Sequence, residues 1–114
     1  MTIREMIEQA ELEVKTANDR LDTEVTGGYS ADLISTVMAN AQQGNVWITW
    51  HVHPNIVAAA LIVKLAAIIL VSGRQPEADT IQKAQQEGVP ILVSKLPAFE
   101  IIGKLYNMGI QGAP

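Results

Sequence analysis

No Asp or Glu occurs between Leu33 and Pro76. The chain has 12 acidic residues, and eight of them crowd between Glu5 and Asp32. The acid-free stretch carries three apolar runs, Val46–Trp50, Ile56–Val63 and Ala66–Val71. Runs this apolar have no hydrated face to offer, so they are covered on both sides, or on one side and by a partner on the other. The middle of the chain is therefore a core, and function is confined to the polar residues at its edges.

The flanking sequence organises itself around that core. Thr2-Ile-Arg-Glu5 is a capping box that opens a short helix with Ile3, Met6, Ile7 and Ala10 on one face. Leu12–Thr16 alternates like a strand near a sheet edge. After the polar loop Asn18–Asp22, Glu24–Thr26 has the makings of a second short strand, and Gly27-Gly28 reads as a break. Ser30 is placed to cap a helix whose stripe is Leu33, Ile34, Val37, Met38 and Ala41, with Asp32 in its first turn and Gly44-Asn45 at its end. Val46–Trp50 follows as a central strand. The next helix opens at Pro54 or Asn55, runs to about Leu65, and is apolar nearly all round.

Ala66–Val71 is a second central strand, and Ser72–Pro76 is a loop. A helix facing inward through Ile81 and Ala84 stops at Gly88. Pro90–Val93 is a third central strand. The last helix opens at Pro97, with Phe99, Ile102, Leu105 and Tyr106 set to face inward, and ends at Gly109. Strand and helix alternate through the second half, which predicts a three-layer α/β/α fold with a mostly parallel sheet. Residues 1–110 are expected to form a single domain, with 111–114 as a flexible tail.

Composition narrows the function classes. The eight basic residues are scattered and the net charge is −4, so no basic face is available to track a nucleic-acid backbone. There is no Cys, which excludes disulfides, thiolate catalysis and Cys-ligated metals. The first residues lack the apolar core of a signal peptide, and Lys64 interrupts the 56–71 run before it is long enough to span a bilayer. These features predict a soluble cytoplasmic protein without membrane association.

In open parallel sheets, ligands sit beyond the C-terminal ends of the strands. Four loops are expected there: Thr26–Ser30, His51–Asn55, Ser72–Arg74 and Ser94–Lys95. The candidate ligand-binding residues are Thr26, Gly27, Gly28, Ser30, His53, Asn55, Ser72, Gly73, Arg74 and Lys95. Arg74 is the best anchor for an anion, because its planar fork matches phosphate or carboxylate. Gly27-Gly28 reads as a sharp turn with positive φ in preference to a phosphate cradle, since no P-loop pattern occurs anywhere in the chain. His51 and His53, spaced i, i+2, share a side of an extended chain and can supply two metal ligands; Asp32 is the carboxylate nearest in sequence. No Ser lies in a nucleophile elbow.

Val25-Thr-Gly-Gly-Tyr-Ser-Ala-Asp-Leu33, Val37-Met-Ala-Asn40, Trp47-Ile-Thr49 and His53-Pro-Asn55-Ile-Val57 resemble the DRTGG domain family. Ile69-Leu-Val71, Gly73-Arg74, Gly88-Val-Pro-Ile91 and Ala98-Phe-Glu100 continue the pattern, so the resemblance runs from about Ile3 to Ile110. The signature here reads Glu24-Val25-Thr26-Gly27-Gly28, with the Arg of the family name replaced by Val25; Arg20 and Arg74 are the nearest basic substitutes. The resemblance implies the fold of the N-terminal domain of HPr kinase/phosphorylase without its kinase domain. It also implies an accessory role, as DRTGG domains accompany CBS domains in regulated pyrophosphatases and precede phosphotransacetylases.

The expected function is a non-catalytic regulatory or protein-interaction module that senses a small anionic, nucleotide- or phosphate-like ligand, with no cofactor and no kinase activity. The alternative is a small enzyme or metal-binding protein built on His51, His53 and Asp32. The apolar helix after Pro54 suggests a homodimer through Val57, Ala58, Leu61 and Ile62.

Overall fold

The structure, a computed structural model, describes residues 1–112. Five helices and five strands alternate along the chain: α1 (Ile3–Ala10), β1 (Glu13–Val14), β2 (Gly27–Ser30), α2 (Ile34–Asn40), β3 (Asn45–Thr49), α3 (Asn55–Val63), β4 (Ala67–Leu70), α4 (Ala78–Glu87), β5 (Ile91–Val93) and α5 (Ala98–Asn107). The sheet order is β1-β5-β4-β3-β2. β2 through β5 are parallel, and β1 alone runs antiparallel, against β5.

The apolar runs produce this because alternate residues of each central strand serve opposite layers. Val46, Ile48, Ala67, Ile69 and Leu92 pack with Ile3, Met6, Ala10, Ile101 and Leu105 of α1 and α5. Trp47, Ile68, Leu70, Ile91 and Val93 pack with Val37, Ile56, Val57, Ala60 and Ala84 of α2, α3 and α4. The three-layer α/β/α fold is the expected one. Among the described residues no helix is long and apolar enough to cross a membrane.

Several local expectations fail, each for a tertiary reason. The strand expected at Glu24–Thr26 is displaced to 27–30, because the ladder with β3 pairs Gly27 with Asn45 and Ser30 with Ile48. Gly27 and Gly28 are therefore extended, and neither has the positive φ expected of a turn. Gly27 answers to a close approach instead: a Cβ there would lie 2.8 Å from the Gln111 carbonyl oxygen. Ser30 ends β2 rather than capping a helix, and α2 begins after Leu33 with no side-chain cap. α2 stops at Asn40 instead of Gly44, whose φ of +84° turns the chain into β3.

The face of α5 is also rotated from the expected one. Ile101 and Leu105 are buried, while Phe99 is 86% and Tyr106 60% exposed. Val57 belongs to the core, so it is withdrawn from the surface proposed for a second copy. Ala113 and Pro114, the end of the expected flexible tail, lie outside the described residues. Gln111 and Gly112 lie along β2: Gly28 N–H donates to the Gln111 carbonyl (2.9 Å), and Gly112 bridges Gly28 in parallel.

Candidate functional site

The segments that leave the C-terminal ends of β3 and β4 carry Trp50, His51, His53, Ser72 and Arg74. Beyond β3 the chain leaves the sheet at Thr49, and the Asp32 carboxylate holds that exit. Thr49 Oγ1 donates to Asp32 Oδ1 (3.0 Å), and Trp50 N–H donates to the same oxygen (2.8 Å). Trp47 Nε1 donates to the Ala31 carbonyl (2.8 Å), so the β2–α2 connection is tied to β3 through both Ala31 and Asp32. Asp32 thus positions backbone. Among the described residues no hydrogen bond links it to His51 or His53, and the three form no metal-binding group.

Beyond β4 the chain turns through two successive left-handed residues, Ser72 (φ +56°) and Gly73 (φ +67°). A side-chain-bearing residue in this region costs energy, so a Ser there is a strained position held by its surroundings. The surroundings are explicit: Ser72 N–H donates to the Leu96 carbonyl (2.8 Å), Gly73 N–H to Ser94 (2.7 Å) and Arg74 N–H to Val71 (3.0 Å). All three loop amides are consumed. The turn cannot act as an amide cradle for an anion; what it does is present Arg74.

The Arg74 guanidinium lies over the Trp50 ring, 4.4 Å from its centroid. Trp50 is half exposed. Among the described residues no carboxylate lies within ion-pair distance of Arg74, and its Nε is buried without a hydrogen-bond partner. A cation held by a ring face and lacking an anion is a charge with unfilled capacity.

On the segment after Trp50, His53 Nδ1 lies 2.8 Å from Glu77 Oε2. The two histidine rings stand 6.3 Å apart at 51°. Glu77 N–H (3.2 Å) and Thr80 Oγ1 (2.7 Å) both donate to the Val52 carbonyl, which fastens the start of α4 to the 50–53 segment. Among the described residues no three His, Asp or Glu side chains gather closely enough to hold a metal ion.

The remaining candidates disperse. Asn55 is exposed at the first position of α3. Ser30 stands at the edge of the sheet, on the last residue of β2. Lys95 is exposed and borders a separate cleft of about 550 Å³ with Glu11 and Lys104, between the ends of α1 and α5. Thr26, Gly27 and Gly28 belong to the opposite end of the molecule or to the strand itself. Thr26 Oγ1 donates to the Gln43 carbonyl (2.8 Å) and accepts from Asn45 Nδ2 (3.2 Å), beside the start of β3.

Of the four expected loops, Ser72 and Gly73 are hydrogen-bonded to the 94–96 segment, Arg74 stacks on Trp50, and His53 pairs with Glu77. Trp50, under Arg74, and Glu77, beside His53, were not anticipated. Trp50 was masked by the apolar run 46–50, although its position between Thr49 and His51 marks the place where that run meets solvent.

No family model matches the chain, and no curated protein matches it. Among solved structures, it resembles the CBS and DRTGG domains of the regulatory region of Clostridium perfringens pyrophosphatase, complexed with the activator diadenosine tetraphosphate. The TM-score is 0.69 at 12% identity, with 91% of this chain and 45% of that one covered. This chain thus spans less than half the length of that structure. At that identity the likeness concerns the fold, and the fold is DRTGG-like, as the sequence resemblance implies.

Proposed function

We propose that this domain is a non-catalytic regulatory module that binds a small anionic ligand at the C-terminal ends of β3 and β4, with Arg74 as the charged anchor. The observation that carries the reading is Arg74 itself, stacked on Trp50, without an anionic partner among the described residues, and with an orphaned Nε. An unsatisfied buried donor costs about 1–3 kcal/mol, a cost that native structures retain where another need outweighs it. Stacking on Trp50 restrains the guanidinium plane in advance, so fewer rotamers are lost on binding. The proposed class is a phosphate-bearing small molecule. The Clostridium structure of similar fold was solved with a polyanionic nucleotide, which agrees with that class.

The test is thermal shift with inorganic pyrophosphate, ATP and diadenosine tetraphosphate. A ligand present at a hundredfold excess over its Kd stabilises by about 2.7 kcal/mol. Arg74→Ala is expected to abolish the shift and leave the melting temperature of the free protein nearly unchanged. Arg74→Lys is expected to weaken it, because a point charge does not reproduce the fork. A strong loss of stability in unliganded Arg74→Ala would make Arg74 structural and overturn the assignment.

A homodimer is part of the same proposal. Ile62 (65% exposed), Leu33 (64%), Met38 and Leu61 leave apolar surface on the layer formed by α2, α3 and α4, and a second copy would cover it.

A further inference from the structure

Three helices cover one face of the sheet and two cover the other. On the two-helix side the strip above edge strand β2 is left open as a cleft of about 180 Å³ between β2 and α5. Gly28, Ser30 and Ile48 line it from the sheet, Ile102 and Tyr106 from α5, and Ile110–Gly112 close it from the C-terminal segment. No Asp, Glu, Lys, Arg or His lines this cleft.

Gly28 is bridged by the backbone of Gln111 and Gly112 on the outer side of β2, but no strained dihedral or backbone clash requires a glycine there. Its φ is not positive, and a Cβ there would meet Ile110, Ile48 and Val46 side chains at 3.5–3.8 Å, which is ordinary contact. This separates it from Gly27, where a Cβ would strike a carbonyl oxygen. A glycine inside a strand weakens it, and such a residue often marks a site where a ligand or another backbone approaches; here the 111–112 backbone approaches on one side and the cleft opens on the other. What the absence of a side chain at Gly28 does is keep the cleft empty.

We propose that this cleft is a second binding site, independent of Arg74, for an uncharged small molecule that presents one planar ring with a hydrogen-bonding substituent. The size is comparable: an enclosed apolar cavity of roughly 150 Å³ takes up benzene, and this cleft, open on one side, offers about 180 Å³. The apolar walls suit a ring, and the want of any charged lining group excludes an ion. The Ser30 and Tyr106 hydroxyls, which have no partner among the described residues, are available to the substituent.

Phenol is the probe, with benzoate as its charged counterpart, and the readout is backbone amide NMR together with melting temperature. Phenol is expected to give saturable shifts at Gly28, Ser30 and Gly112, and benzoate at least tenfold weaker ones. Gly28→Val is expected to weaken phenol binding at least tenfold, and Arg74→Ala to leave phenol binding unchanged. The proposal is overturned if phenol shifts do not saturate, if they survive Gly28→Val, or if they spread over Phe99 in place of the cleft. Should Gly28→Val fail to fold, Ile102→Trp fills the same space from α5: lost phenol binding then supports the site, and retained binding overturns it.

Discussion

Gly27 and Gly28 are adjacent and chemically identical, yet the structure separates them. Gly27→Ala drives a Cβ into the Gln111 carbonyl oxygen, which is backbone and cannot swing aside. We expect it to cost about 2 kcal/mol, in the range of overpacked sites, read as a lowered urea midpoint. Gly28→Ala is expected to be neutral or stabilising, because it removes freedom from the unfolded chain without a clash. Sequence could not make this distinction. Both residues read as turn formers, and the carbonyl that decides the case lies more than eighty positions away. Arg74 was legible, since an Arg after a strand-loop Ser-Gly is a visible charge at a visible place. Its platform Trp50 was not, because the last residue of an apolar run and the first residue beyond it look alike.

Elements were legible where hydrophobic period and length agreed. β3, β4 and β5 were found because a fully buried strand has one signature, an unbroken apolar run. α2 was misplaced at both ends. Its anticipated cap Ser30 was claimed by the ladder with β3, and Asp32 by the amide of Trp50. Edge strand β1 illustrates a contact that no pattern announces. Thr16 is buried, donates to the Val89 carbonyl (2.7 Å) and accepts from Ile91 N–H (2.8 Å). Thr16→Val keeps the shape and orphans both backbone groups, so a loss of about 2 kcal/mol in chemical denaturation is expected.

At the N-terminus of α1, the Thr2 backbone N–H and then its hydroxyl hold the Glu5 carboxyl below the usual range. A depressed carboxyl stabilises above its unfolded pKa, near 4.3 for an unperturbed glutamate, and that contribution disappears as pH falls through the lower folded value. The acid limb of the stability profile is therefore expected to flatten in Glu5→Gln. Unchanged slopes would show that the capping box is not populated in solution.

At the scale of the whole molecule, the α/β/α architecture followed from the acid-free middle and the strand–helix alternation, which leave few ways to bury three apolar strands at once. The proposed anion site was half legible, since convergence depends on which strand ends lie together. A phosphoryl-transfer assay with ATP and HPr-like protein is expected to stay at background, because no sequence pattern for cradling phosphates is present; transfer above background that requires Arg74 would reverse this. Light scattering at micromolar concentration is expected to give twice the 12.3 kDa chain mass. Ile62→Asp should return it to the monomer, and a monomer at every concentration of the parent would refute the dimer.

The seam between Gly28 and the 111–112 segment bears on colloidal behaviour. A parallel sheet with a bare outer strand is a template for unwanted growth by further strands. β1 is two residues long and carries the Lys15–Glu13 ion pair (2.6 Å), so that margin is short and charged. β2 is longer, with no Asp, Glu, Lys or Arg, and its outer amide at Gly28 is occupied by Gln111. Removing residues 111–114 uncovers this amide beside an apolar cleft. The shortened chain is expected to fold and then, over hours at high concentration, to form thioflavin-positive fibrils that the intact chain does not.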